Sequence, residues 1–292
     1  MAALGAEVDR ARAAGDLLAS SDPSGAFVMK AIALDPRLAG GAFADGDLVG
    51  FVSPEFKVVV VRPSMRRQGI GRALAGLASE LEHERGRPDV ILGVLPGAEG
   101  SVAFLEAIGL AYHSTVWDLD LPADRPVPGA VWPAGLKERS FDRERDPAAW
   151  ITLFNEAFAD HATPLQLDET FMTAALDDPD VDDADTRLVE DAATGELVAF
   201  CSADVRRVNG VVPSHVEIWA IGVRPARQGA GIGRQLLRAG VTYLRGIGVP
   251  VVSLSVNGRN EGALRLYESE GFVRMRTRDR WFRPVEPPNA PE

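Results

Sequence analysis

The stretch Val223-Arg224-Pro225-Ala226-Arg227-Gln228-Gly229-Ala230-Gly231-Ile232-Gly233-Arg234 has an earlier counterpart in Val61-Arg62-Pro63-Ser64-Met65-Arg66-Arg67-Gln68-Gly69-Ile70-Gly71-Arg72, offset by 162 positions. Outward from these blocks the same offset carries Glu55 to Glu217, Leu74 to Leu236, Gly86 and Pro88 to Gly248 and Pro250, Glu99-Gly100 to Glu261-Gly262, and Gly109 to Gly271. Further upstream, Gly46-Asp47-Leu48-Val49-Gly50-Phe51 matches Gly195-Glu196-Leu197-Val198-Ala199-Phe200 at an offset of 149, so the first copy lacks 13 residues between the two blocks. A register held this long without a gap indicates an internal duplication. The deletion falls where a hairpin is expected.

Each copy reads as α/β, a mixed sheet flanked by helices. In the second, residues Ala149 to Phe158 and Glu169 to Leu176 have helical patterning, and Leu188 to Glu190, Leu197 to Val205 and Val216 to Val223 read as strands. After the glycines, Leu236, Leu237, Val241 and Leu244 recur at helical spacing. Val251 to Val256 is a β-rich run, Glu261 to Glu270 a short helix and Arg274 to Phe282 the final strand or strands. Between the copies, Leu121-Pro122-Ala123-Asp124-Arg125-Pro126-Val127-Pro128-Gly129 has the proline density of an extended connector. The expected division is residues 1–121, a linker at 122–133 and a second domain at 134–292, in line with ordinary domain sizes. A helical stretch from Val8 to Leu18 precedes the first copy.

Apolar residues make up 46% of the chain and charged residues 25%, a globular composition with no run of the roughly 20 apolar residues that a membrane span needs. The N-terminal residues show no basic region followed by an apolar core, so the expected compartment is the cytoplasm. A single cysteine, Cys201, excludes an internal disulfide, and the four histidines lack paired metal-ligand spacing. No metal is expected, and Cys201 reads as a packed strand residue. The net charge of −11 argues against nonspecific attraction to nucleic acid or anionic lipid. Basic residues cluster instead beside the glycines, which suits a small anionic ligand.

Both glycine clusters sit where a strand hands over to a helix. A helix N-terminus presents unpaired amides and a positive dipole end, so it binds phosphate without a dedicated cation. The dinucleotide fingerprint does not fit, because Arg234 stands where its third glycine belongs and no acid follows near Ser253 and Ser255. Neither turn ends in Gly-Lys-Ser/Thr, which excludes a nucleotide P-loop.

Gln228-x-x-Gly231-x-Gly233 and Arg66-x-x-Gly69-x-Gly71 resemble the Q/R-x-x-G-x-G/A signature of the GNAT (GCN5-related) N-acetyltransferases. In the second copy Asn257 and Asn260 precede Ala263-Leu264-Arg265-Leu266-Tyr267-Glu268-Ser269-Glu270-Gly271-Phe272, similar to the family's N-x-x-A-x-x-L-Y-x-x-x-G-F segment. The resemblance covers nearly all of the second half and about Gly46 to Leu121 of the first. With Asn155-Glu156-Ala157-Phe158-Ala159-Asp160-His161, the layout is similar to the mycothiol synthase-like tandem acetyltransferases. It implies acetyl-CoA as co-substrate, with the pyrophosphate on Gln228, Gly229, Ala230, Gly231, Ile232, Gly233 and Arg234. By the same resemblance Asn257 and Asn260 belong to the coenzyme site, and main-chain groups near Ile221 and Val223 hold the pantetheine arm and acetyl carbonyl.

Acetyl transfer from a thioester to an amine needs a neutral amine, a polarised carbonyl and a proton for the departing thiolate. The resemblance assigns the acid to Tyr267, although Ala263 and Leu264 at i−4 and i−3 also suit a core aromatic. The resemblance makes Glu217 the candidate base, although a strand-end glutamate in solvent also fits its position. Period-two alternation puts it on one face with Trp219 and Ile221, apolar surroundings that would raise its proton affinity. His161 is a candidate for the acceptor pocket.

In the first copy Leu105, Ala98 and Leu95 stand at the positions of Tyr267, Asn260 and Asn257. Leucine cannot protonate a thiolate. The turn Arg66, Arg67, Gln68, Gly69, Ile70, Gly71 and Arg72 is therefore a possible second coenzyme site in a degenerate domain. The expected activity is N-acetylation of a small-molecule amine in the second domain, with no nucleic-acid or membrane partner, by a monomer or homodimer. The competing reading is an acetyl-CoA-binding sensor that transfers nothing.

Overall fold

The computed structural model describes residues 39–54, 57–87, 89–94, 98–160, 167, 169, 172, 176, 181–205, 207 and 210–284. The expected helix at Val8 to Leu18 lies outside the described residues, as do Glu55 and His161 and most of Glu169 to Leu176.

The chain forms two compact units, one of residues Met1–Val116 with Thr277–Glu292, the other of Trp117–Arg276. In the first, strands β1 (Gly40–Ala44), β2 (Asp47–Ser53) and β3 (Val58–Val61) form an antiparallel sheet. Asp45 and Gly46, both at positive φ, close β1 onto β2 as a two-residue hairpin. Helix α1 (Ile70–Glu84), strand β4 (Asp89–Val94) and helix α2 (Glu99–Ala107) follow. Leu74, Ala75 and Ala78 of α1 bury with Val52, Val90, Leu92, Val94 and Leu105 in one cluster. Trp281, from the far end of the chain, completes that cluster. It arrives on strand β11 (Val273–Pro284), whose residues Asp279 to Pro284 pair antiparallel with Val94 to Asp89 of β4. The expected division at 122–133 contains no such return of the C-terminal strand. Periodicity marks Arg274 to Phe282 as a strand but carries no information about its partner.

The second unit holds the end of β5 (Ala111–Leu121), then β6 (Leu136–Ser140), helix α3 (Pro147–Ala157), β7 (Thr186–Asp191), β8 (Leu197–Asp204), β9 (His215–Val223), helix α4 (Ile232–Gly246), β10 (Val251–Asn257) and helix α5 (Glu261–Ser269). Its strand order is β5-β10-β9-β8-β7-β6, with β9 and β10 parallel. Residues 122–135 run without regular structure, the extended path that the prolines dictate. The expected deletion in the first repeat appears at its hairpin, where residues 54–57 join β2 to β3 while residues 205–214 join β8 to β9.

Ile232, Leu236, Leu237, Val241 and Leu244 form one buried stripe on α4, packed on Val216, Ile218 and Leu254 of the sheet. Each such buried side chain stabilises by about 1.5–3 kcal/mol. Gly240 lets the helix approach β8, since a Cβ there would lie 2.6 Å from the Cys201 Sγ. Cys201 is a free, buried thiol, and desolvation pushes its pKa up to about 12. On the other side, Trp150, Leu153 and Phe154 of α3 cover Phe200 and Ala220. Among the described residues, no helix is long and apolar enough to cross a membrane.

Candidate active site

β9 changes character at Trp219. Ala220 pairs with Ser202 and Ile218 with Ala203, so Trp219 is an extra residue, a β-bulge. Before it, Val216 and Ile218 face the α4 cluster; after it, Ile221 and Val223 do, while Ala220 belongs to the α3 cluster. This corrects the expected alternation, because Glu217 shares no face with Ile221. Glu217 is exposed rather than set among apolar side chains. The register of β9 with β10 runs only from His215–Val251 to Ile218–Leu254. From the bulge onward β9 extends as Trp219–Val223 beyond that ladder, and among the described residues no β10 partner continues it. Amides and carbonyls on that edge suit an extended polar ligand.

Strand β9 runs straight into the glycine turn. The Arg224 guanidinium donates to the Leu197 carbonyl at 3.1 Å and to Glu156 at 2.7 Å. The Gln228 side-chain amide donates to the Val223 carbonyl at 3.1 Å. Gln228 thus braces the turn against its own strand. Gly229 and Gly231 have φ of 80° and 77°, a conformation that costs an L side chain roughly 1–2 kcal/mol. A Cβ at either position would meet nothing within 4 Å, so the glycines serve the backbone path and the space beside them is open. Helix α4 has no side-chain N-cap, and residues 225–231 are exposed. Its first amides are therefore presented outward.

The arginines around the turn are already engaged. Arg227 pairs with Asp191 at 2.8 Å. Arg234 pairs with Glu270, which Arg238 also reaches at 2.7 Å. Burial alone would raise the Glu270 carboxyl, but hydrogen bonds from Arg238 and Arg234 outweigh it and hold it below the usual carboxylate range. Arg234 therefore ties α4 to the end of α5, and main-chain amides are the main resource left for a diphosphate. The two asparagines also have internal duties. The Asn260 side chain accepts from the Ala263 amide at 3.1 Å and caps α5, while Asn257 accepts from the Arg259 amide at 3.0 Å.

Helix α5 places Leu266 beside the start of α4. A Cβ on Gly233 would lie 3.7 Å from Val223 and 3.9 Å from Leu266, so the end of β9, the start of α4 and the Tyr267 helix meet there. Tyr267 is half-buried against the α4 cluster, with its ring centroid 6.1 Å from that of Phe272. Desolvation, with a smaller contribution from Cys201, pushes the phenol above its ordinary pKa. It holds its proton throughout the neutral range. Glu217 lies six residues before Val223, about 20 Å away along an extended strand.

Sequence reasoning missed the surroundings of Glu217. The Ser255 hydroxyl is 2.9 Å from Glu217 Oε1 and 2.9 Å from Asp118 Oδ1, and Arg276 donates to Asp118 Oδ2 at 2.8 Å. Trp219 stands beside Glu217 with its ring 5.7 Å from that of Phe154. The run Ala220-Ile221-Gly222-Val223, apolar at both parities, was the one sequence signal of the bulge. Among the described residues, no group of His, Cys, Asp and Glu is arranged to hold a metal.

Residues 148–272 match the acetyltransferase (GNAT) family. Mycothiol acetyltransferase of Sanguibacter keddieii is 34% identical over 258 residues, covering 85% of this chain and 79% of its own. That of Salinispora arenicola is 35% identical over 284 residues, covering 90% and 88%. Among solved structures, a GCN5-related N-acetyltransferase from Sphaerobacter thermophilus superposes with a TM-score of 0.69 at 22% identity, covering 91% of this chain and 87% of that one. A tandem GNAT protein from the clavulanic acid biosynthesis pathway gives 0.64 at 20% identity, covering 91% and 90%. A strand-turn-helix built to present amides, repeated once and matched along most of the chain, leads to one assignment: the protein belongs to the GNAT family as a tandem, acetyl-CoA-dependent N-acetyltransferase with its catalytic domain near the C-terminus, closely related to the bacterial mycothiol acetyltransferases.

Proposed function

We propose that the second unit acetylates the primary amine of a cysteinyl pseudodisaccharide, the chemistry of the mycothiol synthase-like enzymes, with Glu217 as base and Tyr267 as acid. The observation that carries the site is the meeting of the open turn, the unladdered end of β9 and the Tyr267 helix around Gly233. The acceptor rests on identity of 34–35% maintained across 85–90% of the chain.

Main-chain amides of Gly229 to Gly233 would hold the diphosphate, and Ile221 and Val223 the pantetheine arm. Acetyl-CoA supplies the acetyl group and a thiolate leaving group. The acceptor nitrogen forms a bond to the acetyl carbon as the carbon–sulfur bond breaks. Its surplus proton passes to Glu217, directly or through water, and the phenol of Tyr267 protonates the departing sulfur. In the same reading the protein acts in the cytoplasm as a monomer or homodimer.

The test is an acceptor panel with acetyl-CoA, followed by mass spectrometry of the acetylated product. Cysteinyl aminosugar thiols are expected to give the highest kcat/KM. A higher value for an amino acid, polyamine or aminoglycoside overturns the acceptor assignment.

A second reading applies to the first unit, as a coenzyme-binding module without transfer. Its turn retains the braces of the second, yet Leu105 replaces the phenol. Calorimetry with acetyl-CoA separates the cases: stoichiometry near two supports binding there, and stoichiometry near one makes the unit a scaffold.

A further inference from the structure

Trp219 is the extra residue of the β9 bulge, and it is 36% exposed. Among the described residues of the second unit, no other Phe, Tyr or Trp is as exposed. The face on which it lies follows from its neighbours. Val216 and Ile218 face the α4 cluster, so Glu217 lies on the opposite face of β9. Trp219 lies there as well, with its ring centroid 5.7 Å from that of Phe154 and 6.2 Å from that of Trp150, both on α3. Ala220 is buried in the same α3 cluster, so two consecutive residues face one way, as a bulge requires. On β10, Leu254 and Val256 belong to the α4 cluster, which puts Ser255 on the Glu217 face, where its hydroxyl reaches Glu217 Oε1 at 2.9 Å. Carboxylate and indole therefore stand side by side on the face turned away from α4. The α3 rings support the inner part of the indole, and its outer part faces solvent.

Trp219 also stands midway along the proposed reaction path. It comes two residues after Glu217 and two before Ile221, on the stretch of β9 that runs beyond the β10 ladder. With Glu217 as base and the thioester arm along Ile221 and Val223, an amine attacking between them carries its α-carbon past residue 219. We infer that Trp219 is a specificity-determining residue, whose indole receives the side chain on the amine-bearing carbon of the acceptor. The class it selects is a primary amine branched at that carbon with an apolar or sulfur-bearing group. An indole offers a large apolar surface, and sulfur gains a further favourable contact at an aromatic ring. A cysteinyl acceptor presents such a group, a methylene carrying a thiol. The inference rests on the proposed function and names what the enzyme reads on that acceptor. The competing role is structural: as a cap on Phe154 and Trp150, Trp219 would hold α3 to the sheet and read no substrate.

The experiment gives the full-length protein acetyl-CoA and three synthetic acceptors: N-cysteinyl-, N-seryl- and N-glycyl-glucosamine, which differ only in the substituent on the amine-bearing carbon. Rates are read by mass spectrometry of the acetylated product. The wild type is expected to rank them cysteinyl, seryl, glycyl by kcat/KM. Trp219→Ala is expected to reduce the cysteinyl-to-glycyl ratio about fivefold, through the acceptor KM and with the acetyl-CoA KM unchanged. Trp219→Phe, which keeps a ring, is expected to retain most of the ratio. Equal losses for all three acceptors in Trp219→Ala, or no loss, leave only the structural role and overturn the proposal. A wild type that does not discriminate among the three also overturns it, as does a ratio that falls as far in Trp219→Phe as in Trp219→Ala. If a polyamine or aminoglycoside is acetylated faster than all three, the cysteinyl acceptor of the proposed function is wrong, and the response of the ratio to Trp219 still decides this inference. An enzyme that acetylates none of the three overturns both.

Discussion

The two turns of this protein are near-copies in their braces and differ in the side chains around them. Arg62 reaches the Leu48 carbonyl at 3.2 Å as Arg224 reaches that of Leu197. Arg66 donates to the Val61 carbonyl at 3.1 Å, as Gln228 does to that of Val223 at the same distance. The Q/R position of the signature is thus a brace, which is why two unlike side chains serve it. Around this shared frame the contents differ. Arg67 sits at φ 63° where the second turn has Gly229. Phe104 lies 3.2 Å from the Cβ position of Gly71, where Leu266 stands 3.9 Å from that of Gly233. Gly93 occupies the position of Ser255, and the Arg280 guanidinium lies 2.7 Å from where its Cβ would be. The turn is kept in both units, whereas Tyr267, Asn257 and Asn260 of the family motif occur only in the second copy, with Leu105, Leu95 and Ala98 at those positions in the first.

The comparison breaks most visibly at the phenol. Tyr267→Phe is expected to lower kcat about 100-fold or more with acetyl-CoA affinity by calorimetry unchanged, whereas Leu105→Phe should leave kcat as it is. Equal losses from both would erase the distinction between units. At the turns, Gly231→Ala should raise the acetyl-CoA KM roughly tenfold, equivalent to about 1.4 kcal/mol, and Gly69→Ala should leave KM unchanged. The helix seats sharpen the contrast further. Ala78 of the first unit occupies the place of Gly240, and Val52 that of Cys201. Gly240→Ala should cost about 1–3 kcal/mol by denaturant unfolding, with Cys201→Ala recovering part of the loss.

The smallest expected effect concerns Glu270, whose place in the first unit is taken by Ile108. Its carboxyl is held below the ordinary 4.5, so its stabilisation is complete above that pH and is lost as pH falls through the lowered value. Glu270→Gln should therefore reduce stability at neutral pH by about 1 kcal/mol and flatten the acid side of the stability–pH curve. An acid limb as steep as that of the wild type would count against this account.

Much of the fold was legible because its signals are local. Helix α4 shows its stripe from Ile232 to Leu244, and α3, β8 and β10 fall within a few residues of their expected limits. The strand-turn-helix around Gly229 and Gly231 was equally plain. What escaped was set by non-local pairing. The bulge at Trp219 adds one residue and inverts the facing of everything after it, so alternation read through it misplaced Glu217 relative to Ile221. Ser255, Asp118 and Arg276 meet only because β10, β5 and β11 do, across 137 and 158 positions of chain. Arg234, Asn257 and Asn260 were recognisable by motif, but their hydrogen bonds inside the protein had no separate signature.

The closing strand of the first unit also bears on how the chain is made. A ribosome releases the first half long before Trp281 emerges, and until then the β4 row of Val90, Leu92 and Val94 lacks the partner that covers it. The catalytic unit, complete at Arg276, is finished sooner than the older half. A nascent chain stalled between these points would expose an apolar edge to its neighbours on the polysome. A stop codon just after Arg276 would accordingly injure the end of the protein that was translated first.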